Sequence, residues 1–205
     1  MKKFFTLILI LISINSYSQK MSDIFKNAPA EILPGFSEAD KTMLLVDTAL
    51  NTIPNAIGKM QRLNYTEDYL KIKSSEVGNI QIKLLPLVNN TKIICVIKTV
   101  CAHSCDSQIQ FYSVDWTPIE STSLLPALSA ETFFDESKKD SQSYSNALSL
   151  IDMEPISAEF ENDSNDLILS FNYKAYISTE NLDKIKPFIK QDSLTLHWDK
   201  TSFRF

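Results

Sequence analysis

Glycine is almost missing from this sequence: Gly35, Gly58 and Gly78 are the only three in 205 residues. A phosphate-cradling loop needs several glycines close together so that the backbone can approach the anion. Neither a P-loop nor a dinucleotide-binding turn can therefore be written anywhere in the chain. Histidine is scarcer still, with His103 and His197 alone, and neither His-Glu-x-x-His nor Gly-x-Ser-x-Gly occurs. His197 stands beside Trp198 with no Ser, Cys or acid assignable to it, and reads as a half-buried structural residue rather than a general base. The acid pairs Glu67-Asp68 and Asp135-Glu136 fall in polar, turn-like stretches and read as solvated charge, not as a glycosidase pair. Positive charge is also in deficit, 20 Lys and Arg against 25 Asp and Glu, for a formal net charge of -5. That balance opposes a polyphosphate backbone, so no nucleic-acid partner is expected. No cofactor pattern is present, and the expectation is a protein without catalytic residues.

What the chain does have begins at its first residues. Lys2 and Lys3 precede an apolar run from Phe4 to Ile12 that only Thr6 interrupts, long enough for a secretory signal and too short to span a bilayer. Ser16-Tyr17-Ser18 then puts small residues at the two positions a signal peptidase inspects. Residues 1–18 are expected to be a cleaved leader, with the mature chain starting at Gln19. No cysteine lies near the cut to carry a lipid anchor. The expected location is the periplasm or the extracellular space, with no transmembrane segment in the mature chain.

Hydrophobic residues at 44% and charged ones at 22% are ordinary for a globular protein, and 19–205 is a suitable length for a single domain. Ser37, with Asp40 three residues on, reads as a helix start with a capping box, and Ala39, Met43, Val46 and Leu50 recur at helical spacing as a buried stripe. A shorter helix is expected near Ser22 to Asn27. From Lys59 the period changes to two: Leu70 and Ile72 alternate with Lys71 and Lys73, and Ile80, Ile82 and Leu84 with Gln81 and Lys83, as strands with one wet face. Gly78-Asn79 and Asn89-Asn90 read as turns. Lys92 to Val100 is nearly continuous and β-branched, as a central strand covered on both faces would be, and Gln108 to Asp115 is its hairpin partner.

Residues 117–145 read as a looser excursion and Ala147 to Met153 as a short helix. Ile156, Ala158 and Phe160, then Leu167, Leu169 and Phe171, alternate on either side of a turn at Asp163 to Asn165. A helix capped by Ser178 and a strand through Leu194, Leu196 and Trp198 complete the pattern. The sum is an α+β fold, predominantly antiparallel sheet with helices packed on one face, with a hint of two related halves.

Cys101-Ala102-His103-Ser104-Cys105 is the one local cluster with chemistry in it. A three-residue loop between antiparallel strands sets the two cysteines opposite one another, and an oxidising compartment would close them into a disulfide. Two other readings stay open: a soft-metal site using Cys101, His103 and Cys105, which lacks a fourth ligand, and a thiol-redox pair, whose spacing is one residue longer than the thioredoxin-like motif. Cys95, inside the apolar strand, reads as a buried inert thiol.

The segments Cys95-Val96-Ile97-Lys98-Thr99-Val100-Cys101, Cys105-Asp106-Ser107 and Phe111-Tyr112-Ser113-Val114-Asp115-Trp116 resemble a family of exported Bacteroidetes proteins known as a domain of unknown function, family 3256. Met21-Ser22-Asp23-Ile24-Phe25 and Ile156-Ser157-Ala158-Glu159 fit the same family, so the likeness covers most of the mature chain. It implies an exported protein and transfers no catalytic residue. The function expected from the sequence is a non-enzymatic binding module, in which a sheet face or edge meets a protein, a peptide or an envelope component. An envelope thiol-redox or metal-binding factor is the alternative.

Overall fold

The computed structural model describes residues 19–46, 52–55, 58–161 and 164–205. The expected leader, Leu50 of the expected stripe and Asp163 of the expected turn lie outside the described residues. Two antiparallel sheets dominate. The larger holds β1 (Thr52–Asn55), β2 (Gly58–Tyr65), β3 (Tyr69–Lys73), β4 (Gly78–Pro86), β5 (Lys92–Cys101), β6 (Cys105–Tyr112) and β7 (Pro118–Ile119), in that spatial order. The smaller holds β8 (Ile156–Phe160), β9 (Leu167–Phe171), β10 (Ser193–Trp198) and β11 (Phe203–Arg204), also a simple meander. The α+β class with a dominant antiparallel sheet is thus what the chain forms, with its strands shared between two sheets.

Alternation along the long strands of the larger sheet feeds two separate cores. Leu70, Ile72, Ile80, Ile82, Leu84, Ile94 and Val96 point to one face, which the helices α1 (Met21–Lys26) and α2 (Glu38–Leu45) cover through Met21, Phe25 and Leu44. Tyr69, Leu85, Ile93, Cys95, Ile97 and Phe111 point to the other, where they meet Phe160, Leu167, Leu169, Leu196 and Trp198 of the smaller sheet. The helices α3 (Gln142–Leu148) and α4 (Thr179–Ile185) close that second core with Tyr144, Ala147 and Ile185. The strand Lys92–Cys101 is central and covered on both faces, as its apolar run predicts.

Three local expectations are overturned. The side of β4 expected to be wet is not: Gln81 and Lys83 are buried at 1% and 4% exposure, Gln81 against β8 of the smaller sheet and Lys83 beside Asp68 and the Tyr69 ring. The stripe on α2 is rotated, with Met43 and Val46 exposed and Lys41 and Leu44 turned inward. Lys41 tolerates burial because its ammonium donates to the carbonyls of Ala28 (2.7 Å) and Lys26 (3.2 Å) and pairs with Glu38 (2.8 Å). Gly78 opens β4 instead of forming the turn, which falls at the preceding residues. A Cβ on Gly78 would meet the Ser75 hydroxyl at 2.8 Å. The capping box at Ser37 and Asp40 is present as expected, the carboxylate accepting from the Ser37 N–H at 2.9 Å. Residues 117–145 carry β7, short 3-10 turns and the first turn of α3, which runs Gln142–Leu148 and so starts five residues ahead of the helix expected over Ala147 to Met153, and they bury Ala130, Phe133 and Phe134.

Candidate functional site: the cleft between the two sheets

The smaller sheet meets the larger one through its edge strand. Ile156, Ala158 and Phe160 on β8 turn their N–H groups away from β9, and an exposed row of such groups would invite another strand. Here side chains of the larger sheet take them instead. Asp106 accepts from Ile156 N–H (3.0 Å), the Ser107 hydroxyl from Ala158 N–H (2.9 Å), and Gln81 Oε1 from Phe160 N–H (3.0 Å). The Gln81 amide also donates to Ala158 O (3.1 Å), and its oxygen receives the Tyr69 hydroxyl (2.9 Å), so every polar atom of this buried side chain is used. Burial pushes the Tyr69 hydroxyl above its ordinary range, so it stays a donor. Asn172 completes the seam by donating to Cys105 O (2.8 Å) and Ser157 Oγ (2.9 Å).

Alternation on β8 and β9 then gives the smaller sheet two unlike sides. Ala158, Phe160, Leu167, Leu169 and Phe171 enter the core. Ser157, Glu159, Ile168 and Ser170 face the other way and form one wall of an open cleft of about 370 Å³. Its floor is the larger sheet: Asn79 on β4, Thr99 on β5, and Cys101 and Cys105 at the hairpin end. Thr99 and Ser107 share a hydroxyl hydrogen bond of 2.8 Å. Asn79 Oδ1 is buried with no hydrogen-bond partner among the described residues. A buried acceptor left unmade costs about 1–3 kcal/mol, which makes this atom the exception in an otherwise satisfied seam.

The cysteines expected to pair do come together. Cys101 and Cys105 are direct cross-strand partners with Cα atoms 4.0 Å apart and Sγ atoms at 1.99 Å, a disulfide distance. The Cys101 N–H points away from β6 to Val77 O (2.8 Å), so the two face each other as a non-hydrogen-bonded pair, where side chains lie closest. His103 is exposed at the hairpin tip, and among the described residues no three His, Cys, Asp or Glu side chains are grouped to hold a metal. Cys95 is fully buried and burial raises its thiol far above the ordinary range, which keeps it protonated. His197 is not half-buried: it is 65% exposed and lies 3.1 Å from Asp166. Trp116 is a core residue whose indole N–H donates to Ile24 O (3.2 Å). Asp68 is more than loop charge, since it lies 3.1 Å from the buried ammonium of Lys83. The sequence marks Asn79 only as part of a turn and Gln81 only as a wet strand position, and gives the side chains of Ser157 and Asn172 no role. The nearest hint was a polar residue repeating inside an apolar strand.

A larger groove of about 840 Å³ runs between residues 127–139 and 190–195. Of its charged side chains, Glu131 pairs with Lys139 at 2.8 Å and Asp135 with Lys138 at 3.3 Å, and Glu136 and Lys190 also line it. Among the described residues no helix is long and apolar enough to cross a membrane.

A family model described as protein of unknown function (DUF3256) matches residues 13–203. The chain belongs to this family. The segments that resembled it fall, in this DUF3256 chain, along β5 and from β6 into the turn that buries Trp116. A solved structure, a domain of an uncharacterized protein from Porphyromonas gingivalis W83, a member of the Bacteroidetes, superposes with a TM-score of 0.78. It is 19% identical, and the match covers 89% of this chain and 96% of that one. At that identity the likeness shows a shared fold. No curated protein matches the chain.

Proposed function

We propose that this DUF3256 chain is an exported, non-enzymatic binding protein of the periplasm or extracellular space, and that the cleft between its sheets holds the ligand. The observation that carries the reading is Asn79 Oδ1, an orphaned acceptor on the cleft floor in a seam where the neighbouring amide of Gln81 is fully paired. A buried polar group without a partner calls for an explanation, and a place kept for a ligand is one. Export rests on the leader of residues 1–18, and an oxidising compartment would close the Cys101 to Cys105 bridge. The ligand is a group on a protein, a peptide or an envelope component.

A pull-down from the native envelope fraction tests this, with the mature chain and its Asn79→Leu variant as paired baits. A partner retained by the first and lost by the second is the expected result. Equal recovery by both baits, or none by either, overturns the cleft as the site. Replacing Cys101 and Cys105 together should lower stability, because it opens the hairpin that ends the cleft floor. A specific activity that vanished with the cysteines while the fold stayed intact would point to thiol chemistry instead.

A further inference from the structure

We infer that the open edge of β10 takes up an extended peptide of another protein as an added antiparallel strand, with an apolar side chain at every second position. The site is the groove of about 840 Å³ beside residues 190–195; it shares no residue with the cleft and stands whether or not the cleft holds a ligand. Hydrogen bonds alternate sides along an antiparallel strand. Asp192 O accepts from Phe171 N–H (2.9 Å), and the register runs on with Ser193 opposite Ser170 and Leu194 opposite Leu169. Asp192, Leu194 and Leu196 therefore bond to β9, while Ser193, Thr195 and His197 turn their N–H and C=O groups the other way. Asp199 keeps the same phase, its N–H reaching Ser202 O at 3.1 Å. β11 stands opposite His197 and Trp198 alone. The outward backbone groups of Ser193 and Thr195 have no partner among the described residues.

Free strand edges are normally blunted by proline, bulges, shortness or cover. The other edges here are: β1 carries Pro54, β2 past it has a bulge between Arg62 and Asn64, β7 is two residues long and starts at Pro118, and side chains cap β8. The stretch Ser193–Thr195 has none of these. Facing it, the segment 124–134 is fastened at both ends, by Phe203 N–H to Leu124 O (2.8 Å) and by Lys190 N–H to Phe133 O (2.9 Å), and the groove lies between these ties. That wall selects the occupant. A second copy would have to bring its own wall against the same gap, whereas a single extended chain enters edgeways and continues the line of β11 along β10. Directly opposed residues share a face of a sheet. The peptide residue opposite Leu194, which packs on the core, would thus turn toward Leu194 and Phe134, and those opposite the exposed Ser193 and Thr195 toward solvent. Phe205, 62% exposed on the groove lining, offers further apolar surface.

The experiment is amide hydrogen exchange read by ¹H–¹⁵N NMR on the whole mature chain, alone and with end-blocked heptapeptides that alternate threonine with valine, leucine or phenylalanine. Without peptide the Ser193 and Thr195 amides should exchange fast and the Leu194 amide slowly. Saturating peptide should slow the first two by roughly tenfold, the factor one hydrogen bond supplies, and leave Leu194 as it was. Methylating the peptide nitrogens of the threonines, which face β10, should weaken binding by roughly tenfold for each bond lost, and methylating those of the apolar residues should not. Thr195→Pro removes an outward N–H that no strand uses, so it should abolish peptide binding with the circular dichroism unchanged. Slow exchange of Ser193 and Thr195 in the free chain, or no slowing by any peptide, overturns the assignment. Equal binding of the two methylated sets overturns it too, since the peptide would then be held otherwise than as a strand.

Discussion

Two amides on one face of β4 have opposite fates, and stability should tell them apart. Gln81 serves Phe160 N–H, Ala158 O and the Tyr69 hydroxyl, so Gln81→Leu strands three buried polar groups and should cost about 3 kcal/mol or more. Asn79→Leu strands nothing through the oxygen, which has no partner to lose, and should be neutral or stabilising by up to about 1 kcal/mol. Urea unfolding of both variants checks this, and a comparable loss for Asn79→Leu would mean that Asn79 is structural after all. At the other end of the smaller sheet, Asp199 is held down to about 2 by the Thr201 hydroxyl, the N–H groups of Ser202 and Thr201, and Arg204. A depressed carboxylate contributes stability above its unfolded pKa of about 3.9 and loses it as pH falls through the folded value. The melting temperature of Asp199→Asn should therefore approach that of the parent between pH 4 and pH 2, read by circular dichroism. A gap that stays constant across that window would show that the carboxylate gains nothing from its partners.

The hairpin of β5 and β6 carries the element-scale prediction. Its cysteines close a very short loop, and on the loop-entropy model the bridge stabilises by about 2 kcal/mol. Cys101→Ser with Cys105→Ser should lose about that much, and mass spectrometry of oxidised material should find one bridge with Cys95 free. Two free thiols at the hairpin would refute the pairing. This hairpin was legible because alternation, a short polar loop and facing cysteines all lie within 21 residues, Lys92–Tyr112. The helix starts at Ser37 and Ser178 were legible for the same local reason, each side chain accepting from the N–H three residues on. The rotated face of α2 was not, because Lys41 is held inward by the carbonyls of Lys26, at the end of α1, and of Ala28 just past it. The cleft was half legible. Its cysteines announce themselves, but Ser157 and Ile168 reach it from strands that begin more than 50 residues later in the chain. Alternation says which residues share a face of β4; it does not say that a second sheet will cover Gln81.

Whether the two sheets form one unfolding unit depends on what joins them. The core between them draws Tyr69, Ile93, Ile97 and Phe111 from one sheet and Phe160, Leu169, Leu196 and Trp198 from the other. The edge of β8 is also fastened by Asp106, Ser107 and Gln81. Removing the smaller sheet alone would expose that core and strand those donors, each unmade bond costing about 1–3 kcal/mol. The helix side of the larger sheet cannot be indifferent, because β4 and β5 wall both cores with alternate side chains. The two tryptophans happen to sit one on each side: Trp116 in the helix-covered core, Trp198 in the core between the sheets. Trp116→Phe and Trp198→Phe therefore leave a single fluorophore reporting on one core. In each variant the urea transition followed by fluorescence should coincide with that followed by far-ultraviolet circular dichroism, as all-or-none unfolding requires. If Trp198 fluorescence changed at lower urea than the dichroism, the smaller sheet would be detaching first. The cleft would then be a hinge between two units and not a wall of one.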